Sequence, residues 1–319
     1  MITFDDEILN DLSDEAKLCL SNQSFSEDRI KGNISLLKLT MDELADTVLM
    51  QSAFSNVEDL MDFLAAVRTD QPQAEDIPSS DLSDPVSSLT LDTLSKTFFS
   101  ESIVNRIKTL KDLTVSDIVG SSPSIPINGK NKTVCFQSPL SDRALSSFIK
   151  EGFLLESSGC SGAEDVCEEI SNGLCEYCIL PLYDSGNGHL FHFLELIETY
   201  ELKIVSTCRI ESSEGQYVQF GLLAQVLPER FPASRCALAF LIPGNQASAI
   251  AQIMAAAYCE KCDLVSTWPS CRQKGVCFTL SSTQDRLMVM LMHLRLFYPQ
   301  FTPLGIYRYV PMQESQGEL

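Results

Sequence analysis

From about residue 235 the apolar pattern runs strand, helix, strand, strand, helix, strand, and few small folds satisfy that order. "CALAFLI" (236–242), "CDLVSTW" (262–268), "GVCFTLS" (275–281) and "FTPLGIYRYV" (301–310) have the length and β-branched or aromatic content of strands. "QASAIAQIMAAAY" (246–258) and "TQDRLMVMLMHLRLF" (283–297) are too long for strands and read as helices. The sum is βαββαβ, the ferredoxin-like plan, over residues 235–313.

A second alternation precedes it. "TVCFQ" (133–137) reads as a strand, 141–152 as a helix with a glycine stop, and 163–173 as a helix closed by Asn-Gly. A strand at 176–182, a helix at 189–200 and the strands "LKIVSTCRI" and "YVQFGLLAQV" complete a layered α/β unit over 133–230. The fold class is therefore α/β joined to α+β.

The front of the chain is different. Residues 1–69 form an acidic module of short amphipathic helices, with Leu36, Leu37, Met41, Leu44 and Val48 at spacings that share one face. A Pro/Ser/Asp-rich linker (70–87) leads to a second helical module (88–120), and another linker spans 121–132. Segments 25–46 and 99–120 align without a gap, matching Phe25 with Phe99, Leu36 with Leu110, Leu39 with Leu113 and Thr40 with Thr114. In both, the threonine stands where it could cap a following helix. A duplication and two unrelated helical hairpins both fit.

Charge narrows the partners. Residues 1–84 hold nineteen acidic against five basic residues, fourteen of the chain's twenty net negative charges. Such a front repels phosphate backbones, so no nucleic-acid partner is expected, and a protein partner at the acidic helices stays open. The start lacks the basic and apolar regions of a signal peptide, and no run approaches the roughly 18 apolar residues of a membrane span. A cytoplasmic location with no membrane contact is expected, and its twelve cysteines are expected as thiols.

At 167–205, "CEEISNGLCEYCILPLYDSGNGHLFHFLELIETYELKIV", the residues resemble the first lobe of prephenate dehydratase. That family runs a Gly-x-x-Asp/Glu-Tyr strand into a Pro-Ile-Glu-Asn-Ser loop with a later glycine, then a helix and a Leu-x-Ile strand. The corresponding positions are Gly173, Glu176, Tyr177, Pro181, Leu182, Tyr183, Asp184, Ser185, Gly188, Leu202 and Ile204. The C-terminal unit resembles the ACT domain of the same family, with "IPGNQASAI" at its first helix and "PLGIYRY" near its end. The resemblance covers roughly 131–313 and implies a single periplasmic-binding-protein-like lobe, an ACT-like domain that dimerises, and a link to phenylalanine biosynthesis.

The departures bear on activity. The family's Thr-Arg-Phe motif, source of a catalytic hydroxyl and a guanidinium, corresponds to Val218-Gln219-Phe220. Valine donates no proton, and glutamine cannot make a charge-assisted bidentate pair with a carboxylate. Asp184 replaces asparagine and would repel an anion. Ser138 and Ser141 remain as hydroxyls in a loop that has lost its glycines. Only "ESSEGQ" (211–216) stands where the family inserts a second lobe, so no cleft would exclude water. In the ACT-like unit the family's Glu-Ser-Arg-Pro corresponds to Ser266-Thr267-Trp268-Pro269. A chorismate mutase domain, which a bifunctional form carries in front, would need clustered Arg and Lys, but Lys17, Arg29, Lys31, Lys38 and Arg68 are scattered among acids.

No catalytic residue is therefore assigned. The loop candidates for a small ligand are Ser138, Ser141, Asp184, Ser185, Asn187 and Gly188, and those in the ACT-like unit are Gly244, Asn245 and Trp268. Cys175 with Cys178, and Cys259 with Cys262, Cys271 and Cys277, have near-ligand spacing, yet most sit where strands bury them, so no metal and no cofactor is expected. His189 and His192 at the first turn of a helix lack an adjacent nucleophile. The expected function is a degenerate, non-catalytic regulator or interaction protein, with binding of an aromatic amino acid left open. The alternatives are a dehydratase (a carbon–oxygen lyase) completed by a partner chain, and a structural remnant that only dimerises.

Overall fold

The computed structural model describes residues 27–52, 58–60, 62–63, 85–110, 112–120, 132–136, 138–160, 162–213, 215–232, 235–244 and 247–309. The chain divides into two compact units. One contains 1–120, 246–261 and 288–299, and the other 121–245, 262–287 and 300–319.

The first unit is helical. Helix α1 (Glu27–Gln51) lies against α2 (Pro85–Leu110). Leu37, Met41, Ala45 and Val48 of α1 are buried at helical spacing, as are Phe99, Ile103, Val104 and Ile107 of α2. Leu36 points outward instead and Leu44 is only half-buried, so the buried stripe is turned from the expected one. Lys38 pairs with Glu101 at 2.9 Å and Arg106 with Asp46 at 2.7 Å, while Ser102 Oγ donates to Asp42. Helix α2 also buries Thr97 and Ser100, whose hydroxyls return to carbonyls four residues earlier. Each buried oxygen is thus satisfied within the helix.

The short α3 (Val115–Val119) follows a break. Thr114 caps it, with its hydroxyl accepting from the Asp117 N–H while Asp117 accepts from the Thr114 N–H. The aligned Thr40 does not cap anything. It lies inside α1 and donates to the Leu36 carbonyl at 3.1 Å. The reason is the continuous buried stripe through Leu37, Met41 and Ala45, which a helix break would split. Helix α7 (Ala247–Cys259) and most of α8 (Gln284–Phe297) belong to this unit, and Phe297 packs edge-on against Phe99 at 6.5 Å.

The second unit is built on one sheet. Its strands are β1 (Lys132–Phe136), β2 (Glu156–Cys160), β3 (Tyr177–Asp184), β4 (Gly188–His189), β5 (Lys203–Ser213), β6 (Gln216–Ala224), β7 (Arg235–Pro243), β8 (Asp263–Pro269), β9 (Gly275–Thr283) and β10 (Thr302–Arg308). Their order is β2-β1-β3-β6-β5-β10-β7-β9-β8, with β4 paired to β3. The β10-β7-β9-β8 portion is antiparallel and carries the strand order of a ferredoxin-like sheet. Strand β10 also pairs in parallel with β5, where Gly305 meets Ile204, so the two strand sets form one sheet.

Side chains alternate across β3. Cys178, Leu180 and Leu182 join a core with α5 (Ala163–Ser171) and α6 (Phe191–Thr199), while Ile179 joins Phe220 and Leu222 in a core with α4 (Pro139–Lys150). Both faces being covered explains why β3 reads as a nearly continuous apolar run. Strand β2, "ESSGC", had no signal in the sequence and is held as an edge by parallel pairing to β1.

Candidate functional site

Strand β3 ends at Asp184, and Ser185, Gly186 and Asn187 form the turn back into β4. Register pairs Asp184 with Gly188 and Tyr183 with His189. Gly188 has φ +82°, a left-handed conformation that glycine adopts without strain, and space around its Cα is open. The sequence suggested that this loop opens a helix directly. In the structure it first closes a hairpin, and α6 begins only at Phe191. His189 belongs to the hairpin because its ring packs on Tyr183 at 5.3 Å and on Trp268 at 5.0 Å.

The loop occupies its own polar groups. Asp184 Oδ1 accepts the Gly186 N–H at 2.9 Å, and Oδ2 accepts the Asn187 side-chain amide at 2.7 Å. The Asn187 N–H donates to the Asp184 carbonyl at 3.2 Å, and the Ser185 N–H to the Tyr217 carbonyl at 2.9 Å. Ser185 Oγ in turn accepts the Tyr217 N–H at 2.9 Å. Three consecutive N–H groups that could cradle an anion are therefore engaged within the chain. The Gly186 N–H, followed by the Asn187 amide, holds the Asp184 carboxyl below its ordinary value of 3.8.

Strand β6 forms the opposite wall. Its register sets Val218 across from Asp184 and Gln219 across from Tyr183. Both residues thus lie directly beside the loop. On the other side Gln219 pairs with Arg209 of β5, whose guanidinium lies 5.2 Å from the centre of the Tyr217 ring. Tyr183 and Tyr217 are tilted rings 6.1 Å apart. Burial lowers the His189 imidazole from its ordinary 6.5, which keeps it neutral at neutral pH. The assembled site is an aromatic wall beside a self-occupied acidic loop.

The remaining candidates are placed as follows. Ser138 is the N-cap of α4; its Oγ accepts the Ser141 N–H at 3.1 Å, and the two hydroxyls lie 2.9 Å apart. Both follow β1, which is parallel and adjacent to β3, so they share the carboxyl edge of the sheet with the loop. Gly244 follows β7 with φ +91° and donates its N–H to Lys274. Asn245 lies outside the described residues. Trp268 is buried in the core and meets His189, which joins two candidate groups that the sequence kept apart. His192 is exposed and its ring lies against Phe193.

Cys175, Cys178, Cys262 and Cys277 are buried, and Cys259 and Cys271 are partly so. Cys262 directly precedes β8 rather than lying in it. Cys160, Cys167, Cys175, Cys178, Cys208, Cys236, Cys259, Cys262, Cys271 and Cys277 are free thiols, and among the described residues no group of three His, Cys, Asp or Glu side chains could hold a metal. No described helix is long and apolar enough to cross a membrane. Sequence reasoning missed Arg209, which reaches the loop's wall through its pairing with Gln219. Only the register of the β5–β6 hairpin brings it there, and no local pattern in the sequence gives that register.

No family model matches the sequence, and no curated protein matches it. Among solved structures, the chain is similar to the quorum-quenching acylase GqqA, with a TM-score of 0.45 and 15% identity over 59% of this chain and 100% of that one. It is also similar to prephenate dehydratase from Streptococcus mutans, with a TM-score of 0.44 and 12% identity over 55% of this chain and 97% of that one. A third is prephenate dehydratase from Arthrobacter aurescens in complex with L-Phe, with a TM-score of 0.45 and 12% identity over 56% of this chain and 90% of that one.

Proposed function

We propose that the chain is a non-catalytic, prephenate dehydratase-like protein that regulates or binds other proteins in connection with phenylalanine biosynthesis. The observation that carries this reading is the loop at 184–187, where Asp184, Ser185 and Asn187 bond to the chain itself and leave no cradle for an anion. Two further features support it. Val218 and Gln219 stand opposite the loop, so these two positions offer neither a proton donor nor a cation. Strands β5 and β6 form a direct hairpin closed by the Ser213–Gln216 pair, where the family resemblance would place a second lobe. A single lobe lacks the closed site in which electrostatic stabilisation of a transition state is strong.

On this reading the βαββαβ run is an ACT-like domain that supplies a homodimer contact, and the acidic front of the chain recruits a protein partner. An aromatic amino acid is the ligand class the ACT-like domain would sense. The direct test of the central claim is a turnover assay that follows phenylpyruvate released from prephenate. The expected outcome is a rate equal to the uncatalysed one. Turnover that falls when Ser185 is replaced by alanine would overturn the proposal.

A further inference from the structure

A second cavity in the sheet unit, away from the loop, holds a lysine without a partner. Its volume is about 320 Å³, at the small end of ligand pockets (roughly 300–1,000 Å³). Ile197, Leu241 and Leu304 provide an aliphatic wall, and Lys203, Glu201 and Arg272 provide charge. Lys203 opens β5 after a turn in which Glu201 has φ +54° and Leu202 is fully buried. That turn fixes the lysine stem, and Lys203 is only 8% exposed.

One carboxylate at the cavity is already engaged. Glu198, which also lines the cavity, accepts the Ser270 hydroxyl at 2.7 Å and the N–H groups of Cys271 and Arg272 at 3.2 Å each. Arg272 caps the end of α6 through 3.4 Å contacts with the carbonyls of Glu198 and Thr199. Glu201 is exposed, and it acts on Lys203 through space rather than as an ion pair. Among the described residues the Lys203 ammonium has no hydrogen-bond or ion-pair partner.

A lysine side chain this buried is partly desolvated, and a methionine of similar length would remove that cost. Lysines do bury their stems while the head stays wet, and the cavity gives this head access to water. The same geometry sets an ammonium without a direct ion pair beside an aliphatic wall, which is the complement of an amphiphilic anion. We propose that this cavity binds a small carboxylate with a short aliphatic body, its carboxylate paired with Lys203 and its hydrocarbon lying on Leu241 and Leu304. Burial lowers the Lys203 amine from its ordinary 10.5, so an incoming carboxylate would raise it.

The experiment titrates the full chain, with its lysine side chains observed by NMR, using three probes of matched shape: 4-methylpentanoate, leucine and 4-methylpentan-1-ol. The Lys203 signal is identified by its loss in Lys203→Met. Saturable binding of either carboxylate, with an upward move of the Lys203 pKa, is the expected result. Lys203→Met should weaken that binding at least roughly 30-fold, as removal of one partner from a buried ion pair does. Comparing leucine with 4-methylpentanoate shows whether an amino group beside Glu201 is accepted, and binding by either upholds the proposal. Binding of neither carboxylate, equal binding of the alcohol, or undiminished binding by Lys203→Met overturns it. Should that variant fail to fold, the wild-type pKa response to the carboxylates and the alcohol decides alone.

Discussion

Asp184 decides what its loop can hold, because its carboxylate acts as the loop's own anion. Its carboxyl titrates below the ordinary 3.8 because the Gly186 N–H and then the Asn187 amide favour the charged form. The sign of the consequence is fixed by linkage: a carboxyl depressed in the folded state stabilises above its unfolded pKa, and that stabilisation fades as pH falls through the folded value. Comparing wild type with Asp184→Asn by urea denaturation should therefore show a constant stability gap at neutral pH. The gap should shrink below pH 3.8 and close at the acid end. A gap that does not respond to acid would show that the carboxylate's bonds are lost to solvent. The sequence showed a loop of Asp, Ser, Gly and Asn after a strand but offered it as a ligand loop opening a helix, not as a turn bonded to itself. The contact of His189 with Trp268 was not legible, because no local pattern joins residues so far apart in the chain.

At the scale of elements, two threonines that align in sequence do opposite things. Thr114 closes a capping box at α3, whereas Thr40 sits within α1 and bonds backwards to Leu36. Thr114→Ala should cost about 1 kcal/mol, the usual worth of an N-cap. Thr40→Ala should stay within about 0.5 kcal/mol of wild type, as exposed mid-helix changes do. Chemical denaturation of the two variants side by side measures both, and equal losses would restore a capping role to Thr40. What decides between the two sites is packing. Leu113 is buried behind its cap, whereas the aligned Leu39 is 55% exposed, so the same residue types serve different environments. Strong periodicity was readable throughout: α2, α5 and α8 lie within or near their expected spans. Strand β2 was not readable, because Glu-Ser-Ser-Gly-Cys has neither alternation nor β-branched residues and takes its form from β1.

For the molecule, the informative feature is the parallel contact between β5 and β10, which makes one sheet of two strand sets. The period of each strand was visible in the sequence, but pairing between strands about a hundred residues apart leaves no local trace. Its enabling residue is Gly305. A Cβ there would lie 2.6 Å from the Ile204 carbonyl oxygen and 2.7 Å from the Ile204 Cβ. Gly305→Ala should therefore destabilise the sheet unit by about 1–3 kcal/mol, the usual cost of overpacking. A denaturation midpoint equal to wild type would show that the strands can part at this point without loss.

The place of β10 also sets an order of events. It lies between β5 and β7 in the sheet, yet it follows every other described strand in the chain. A ribosome delivers the amino-terminal strands first, so β5 and β7 emerge with interior edges exposed and wait for Thr302–Arg308. During that interval the nascent chain presents two unpaired ladders, the state in which strands pair with the wrong neighbour. The last strand to be made acts as the keystone, and chains interrupted before residue 302 would leave the ribosome with a divided, adhesive sheet.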